Sequence, residues 1–165
     1  MTITADATEK AARAPMRDGK PTHHAINCVP EQAGRLPLIG RPAAAHAARE
    51  FVRELLGSSC ASLNDVVTVV SELVTNAVLH SGSGEPGGLL TVEITACRHL
   101  VRVAVIDQGL GSLTDATEGT DDRIGGQGLF VVVSALAIGW GTYTCPGGRV
   151  VWAELPAHWD SGSAA

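Results

Sequence analysis

Glu72-x-x-x-Asn76-Ala77, Asp107-x-Gly109-x-Gly111 and Gly126-x-Gly128-Leu129 follow one another along this chain. On a helix of about 3.6 residues per turn, a step of four drifts by only about 40°, so Thr68, Glu72, Asn76 and His80 share one edge. A single phosphate group fits near both Glu72 and Asn76. The amide oxygen of Asn76 is the hard kind of ligand that Mg²⁺ takes, usually with several waters retained. Glu72 is placed to orient or deprotonate an attacking hydroxyl or water. Asp107 follows a β-rich run and can accept a hydrogen bond from the exocyclic amine of adenine. Gly109 and Gly111 remove side chains where the backbone must turn beside a flat base. At Gly126 and Gly128, N–H groups that open a helix attract phosphate, and the glycines let them come close to it.

Each motif alone also fits a plainer reading. Glu72 and Asn76 suit an exposed polar helix face, Asp107 an Asp-x-Gly surface turn, and Gly126-x-Gly128-Leu129 a glycine-rich helix entry. His80 suits the negative end of a helix dipole. Three such coincidences in this order are improbable, and the ordered set points to an ATP-binding module.

The elements that must carry these residues are legible in the periodicity. Helical spacing of Ala47, Phe51, Val52 and Leu55 predicts a first helix over Ala43–Leu56, with Gly57 as its stop. A broader stripe from Val66 to Val78 predicts a second helix over Leu63–His80, capped by Ser62 or Asn64, with Asp65 in its first turn. Ser81–Gly88 reads as a loop. Leu89–Ala96 and Leu100–Ile106 read as a hairpin, and Ile138–Thr144 with Arg149–Leu155 as another. Between them lie a loop over Gly111–Gly125 and a third helix over Gly126–Ala137. Short apolar runs at Ile26–Val29 and Leu36–Ile39 could each form an early strand, with Pro30, Pro37 and Pro42 breaking anything longer. The expected fold class is α+β: a two-layer α/β sandwich with helices on one face of a mostly antiparallel sheet.

The 165 residues suit one domain with a full core. The expected division is a tail over 1–24, a domain over 25–156 and a second tail over 157–165. A hydrophobic content of 45% indicates a globular chain. Net charge is −5 without a basic cluster, which argues against a nucleic-acid partner. No stretch approaches the roughly 18 apolar residues of a membrane span, and the first residues lack a secretory signal's apolar core, so no membrane partner and a cytoplasmic location are expected. The four cysteines lack zinc-ligand spacing and are expected to be reduced. His23-His24 reads as part of the tail.

With these motifs in place, the chain resembles the GHKL ATPase superfamily, and within it the anti-sigma-factor serine kinases and histidine-kinase-like ATPase proteins. SELVTNAVLH is similar to the family's N box, VIDQGLG and GGQGLFVV to its glycine boxes, and GGRVVWAEL to its closing strand. The resemblance spans about residues 43–156. It implies ATP bound between helices and sheet, with Glu72 as catalytic base and Asn76 as the Mg²⁺ ligand. It also implies that Asp107 binds the adenine amine, that Gly109 and Gly111 pass beside the base, and that Gly126 and Gly128, followed by Leu129, hinge a lid on the phosphates. Relatives of this branch phosphorylate a serine on a STAS-type anti-anti-sigma protein and sequester a sigma factor, often as homodimers.

Two features depart from that pattern. Many relatives place a threonine on the closing strand to support the adenine-binding Asp, whereas here Gly148-Arg149-Val150 holds none, so that either Arg149 covers the loss or nucleotide affinity is reduced. The lid, Ser112–Gly125, carries Asp115, Glu118, Asp121 and Asp122 with Arg123 as its one cation. The leading expectation is an ATP-dependent serine/threonine kinase. The alternatives are a non-catalytic, nucleotide-gated protein-binding module and a hydrolase that uses water as acceptor.

Overall fold

Alternation of period two builds five strands, and all of them join one antiparallel sheet. They are β1 (Gln32–Ile39), β2 (Leu89–Cys97), β3 (Leu100–Asp107), β4 (Gly139–Cys145) and β5 (Gly148–Pro156), in the spatial order β1-β2-β3-β5-β4. Among the described residues, three helices pack with the sheet: α1 (Ala43–Leu56), α2 (Leu63–His80) and α3 (Gln127–Leu136). This computed structural model describes residues 29–109 and 127–160. The tail over 1–24, the lid over 112–125, Gly111 and Gly126 lie outside the described residues.

Val101, Val103 and Val105 of β3 alternate onto the face that α2 covers, and Val151, Ala153 and Leu155 of β5 join them in the main core. Against them α2 buries Val66, Val69, Val70, Leu73 and Ala77. Full burial of a Val or Leu side chain contributes about 1.5–3 kcal/mol, so this layer is what fixes α2 on the sheet. The two helix spans match the sequence expectation. In α1 the most buried row is Ala44, Ala48, Val52 and Leu56, and Phe51 and Leu55 flank it half-buried. Small residues at 44 and 48 let α1 lie close to its neighbour. Phe51 instead reaches β1, where it occupies the space a Cβ on Gly34 would need.

Several expectations are corrected. β1 runs straight through Pro37 instead of breaking there. As an edge strand it has only β2 as a partner, so half its N–H groups need no ladder acceptor and a proline is tolerated. Val29 lies outside any strand. Ser62 holds the N-cap position of α2 but makes no capping bond; its hydroxyl accepts from the His158 N–H at 3.3 Å. That bond belongs to a second surprise, since residues 157–160 are not a loose tail. Ala157 is buried, Trp159 bridges to Cys60, and Asp160 N–H donates to Ser59 O at 2.8 Å. Trp159 was the signal, because a large apolar ring near a chain end is worth anchoring. Cys60 and Cys145 are free, but Cys97 is disulfide-bonded, with its partner outside the described residues. Burial pushes the Cys60 thiol above its ordinary pKa, opposed by a backbone hydrogen bond from Ser62.

The opposite face of the sheet carries a small cluster of Ala104, Val150 and Trp152. The Arg102 guanidinium lies 4.8 Å from the Trp152 ring centre and pairs with buried Glu154 at 3.1 Å. Gly141 on β4 leaves room for that indole. Among the described residues, no helix is long and apolar enough to cross a membrane.

Candidate functional site

The polar edge of α2 dips into the protein part-way along. Thr68 and His80 are exposed, Glu72 is half-buried, and Asn76 is only 4% exposed between core residues Leu73 and Ala77. Thr68 turns its hydroxyl onto Asn64 O at 2.9 Å, an ordinary local bond that leaves it no part in a site. Asn76 is different. Both atoms of its amide, Oδ1 and Nδ2, are buried and have no hydrogen-bond partner. A buried amide left this way costs about 1–3 kcal/mol for each unmade bond, and few such groups persist without a reason. The amide therefore fits a ligand that supplies partners, with a hard cation at Oδ1 among them. Among the described residues no cluster of three or more His, Cys, Asp or Glu could hold a metal ion.

Asp107 ends β3 on the same face as Val103 and Val105, toward the helices. Its Oδ1 accepts from Gly109 N–H at 2.7 Å, an Asx turn that Gly109 completes at φ 73°, in the left-handed region that favours glycine. Its Oδ2 accepts from Arg149 Nε at 3.1 Å and Nη2 at 2.8 Å. Arg149 is the register partner of Asp107 on β5, so the ion pair is set by strand pairing. Gly148 makes that pairing possible, because a Cβ there would collide with Asp107 O. The position where the resemblance would place a threonine support is thus served by a guanidinium from the next strand.

The segment after α2 ties these two parts together. Ser81 Oγ donates to Ala77 O at 2.7 Å, and Gly82 N–H donates to Gly109 O at 2.8 Å. Ser83, fully buried, accepts from Gln108 N–H at 2.9 Å and donates to Leu89 O at 2.6 Å. The segment that follows α2 is thereby bonded to the turn that holds Asp107, and through Ser81 to the last turn of the helix. Ser81–Gly88, expected as a plain loop, is a pinned connection containing a short 3₁₀ turn over Gly82–Gly84. Glycines serve close approach here: a Cβ on Gly88, or on Gly40 just after β1, would strike Ser83 O, and one on Gly84 would strike Val78 O. Gly40→Ala is expected to destabilise the fold by about 1–3 kcal/mol, the usual cost of overpacking. Gly87→Ala meets no neighbouring atom and carries only the strain of its φ of 81°, about 1–2 kcal/mol. Urea unfolding of the two variants, followed by circular dichroism, should rank Gly40→Ala as the less stable.

Of the residues singled out in the sequence, Glu72 and Asn76 stand one turn apart on α2, and Asp107 and Gly109 stand on the turn bonded to the segment that follows it. Gly128 and Leu129 fall in α3, which packs against α2. Arg149 takes the supporting place beside Asp107 that the missing threonine leaves open, whereas Ser83 and Gln108 carry no motif in the sequence. A serine flanked by glycines on both sides in SGSGEPGG was the available hint for Ser83.

The sequence pattern of the histidine kinase-like ATPase domain matches residues 39–151, well over half of the chain. The chain belongs to the histidine kinase-like ATPase domain family. The α+β architecture, with helices along one face of a five-stranded antiparallel sheet, is consistent with that membership. The match begins at the last residue of β1 and ends within β5, so it takes in Glu72, Asn76, Asp107 and Arg149 together. Curated relatives include the anti-sigma F factor of Clostridium beijerinckii, 41% identical over 49 residues, which are 30% of this chain and 34% of that protein. The anti-sigma F factor of Bacillus cytotoxicus is 37% identical over 49 residues, again 30% of this chain and 34% of that protein. That of Halalkalibacterium halodurans is 31% identical over 75 residues, 41% of this chain and 51% of that protein. The chain therefore spans about a third to a half of the length of the curated relatives it matches.

Proposed function

We propose that this chain binds Mg-ATP between α2 and the Asp107 turn, and transfers the γ-phosphoryl group to a serine of a STAS-type regulatory partner. On this reading it also sequesters a sigma factor, as an anti-sigma-factor serine/threonine kinase. The observation that carries the nucleotide reading is the unpartnered, buried amide of Asn76, one turn from half-buried Glu72, on a helix whose following segment is bonded to the Asp107 turn. The names of the partly matching relatives support the regulatory role.

In this arrangement Asp107 accepts from the exocyclic amine of the base. Gly109 takes the tight turn that keeps side chains away from the ring. Asn76 presents Oδ1 toward the phosphates, where Mg²⁺, when bound, supplies charge neutralisation on the transferring group. Glu72 takes the proton from the attacking serine hydroxyl as its oxygen bonds to the γ-phosphorus and the bond to the leaving ADP oxygen breaks. The core valines beneath α2 hold Glu72 and Asn76 in fixed relative position, which is most of what phosphoryl transfer asks of a protein.

Titrating ATP with and without magnesium tests the binding half. Affinity should rise with Mg²⁺ in the native chain, and Asn76→Ala should lose that dependence. An absence of ATP binding in both conditions rejects the reading. Incubation with Mg-ATP and a STAS-type partner should then yield phosphoserine. ATP binding without transfer to any protein would replace the kinase by a nucleotide-gated binding module, and phosphate release without a protein acceptor would replace it by a hydrolase.

A further inference from the structure

The geometry points to Arg149 as a base-reading residue: its guanidinium donates to N1 of adenine while Asp107 accepts from the neighbouring amine. This rests on the nucleotide reading above and adds to it a specificity contact to the base, beyond any support that Arg149 gives to Asp107. An ionised carboxylate offers about four acceptor sites. Three on Asp107 are taken, one by Gly109 N–H and two by Arg149, which leaves one for an amine. A guanidinium carries five N–H donors. Nε and Nη2 each spend one on Asp107, and the rest, including both on Nη1, have no acceptor among the described residues.

Position decides what those spare donors can do. Arg149 and Asp107 are register partners on neighbouring strands, and both lie on the helix-facing side of the sheet with Val105 and Val151. Asp107 has a fully buried side chain, whereas that of Arg149 is 16% exposed. The ion pair is held through two N–H groups on one oxygen, which limits rotation of the guanidinium about the carboxylate. The pair therefore presents an acceptor with a donor fixed beside it. Adenine carries the complement on adjacent atoms, an amine that donates and a ring nitrogen, N1, that accepts. A threonine in place of Arg149 could support the carboxylate but could not offer a charged fork to the ring.

The test compares three nucleotides by calorimetric titration in the presence of Mg²⁺: ATP, 1-deaza-ATP, which keeps the amine and lacks N1, and purine riboside triphosphate, which keeps N1 and lacks the amine. The intact chain should bind 1-deaza-ATP at least about tenfold more weakly than ATP, the size expected for a hydrogen bond from a charged donor. In Arg149→Met the ratio of ATP to 1-deaza-ATP affinity should fall close to one, and Arg149→Lys should keep part of it. Equal affinity of the intact chain for ATP and 1-deaza-ATP overturns the assignment, and that comparison needs no variant to fold. A ratio that survives in Arg149→Met gives N1 to another donor and also overturns it. Loss of affinity for purine riboside triphosphate alone leaves the Asp107 reading standing without Arg149. Failure to bind any of the three nucleotides removes the nucleotide reading itself, a distinct result.

Discussion

Replacing Glu72 by glutamine is expected to slow phosphoryl transfer by about a hundredfold to ten-thousandfold while leaving ATP affinity unchanged. That range is what a positioned general base contributes. Glutamine keeps the size and the hydrogen-bonding reach of the side chain but cannot accept the proton of the serine hydroxyl. The substitution is a clean one, because Glu72 is half-buried and makes no hydrogen bond or ion pair among the described residues. The helix around it is secured by Leu73, Val69 and Val70, so stability should change little. Phosphoserine formation on the partner, measured at saturating Mg-ATP, is the readout. Transfer that continues within tenfold of the native rate would mean that the proton leaves by another route.

The second large effect concerns Asp107. Asp107→Val should abolish measurable ATP affinity and also destabilise the fold by about 3–5 kcal/mol, the usual cost of leaving one member of a buried pair alone. The penalty arises because Arg149 keeps its charge beside a wholly buried site and loses both of its acceptor bonds. Asp107→Val combined with Arg149→Val should recover much of the stability, since two β-branched residues in register on neighbouring strands pack well. It should recover none of the binding. Thermal unfolding and ATP titration of the single and double variants separate the two roles. Recovery of ATP affinity in the double variant would show that the carboxylate has no part in recognising the base.

Helices α1 and α2 were readable to their ends because local rules set them. Gly57 takes φ 67° at the stop of α1, and the valine stripe of α2 has no other face to bury. The hairpins were readable for the same reason, through alternation and turn residues. What was misread depended on distant neighbours. Pro37 looks like a strand breaker until β1 is known to be an edge strand, and edge position is a property of the whole sheet. Ser62 looks like a helix cap until His158, far along the chain, claims its hydroxyl. The SGSGEPGG segment is a loop, as its composition says, but composition does not show how tightly it is packed. In the fold those glycines admit backbone atoms that a Cβ would exclude, and Ser83 sits fully buried at the centre.

The same division runs through the site. Residue types and spacing alone determined that an acid and an amide share a helix edge and that a carboxylate follows a strand, because helical and strand periods are local geometry. Only the tertiary structure decided that Asn76 is buried without a partner, that Ser83 bonds the Asp107 turn to the start of β2, and that Arg149 holds Asp107. Each of those depends on which strands pair and how closely the backbones approach. The Asp107–Arg149 contact joins residues 42 positions apart, and no period in the sequence reaches that far.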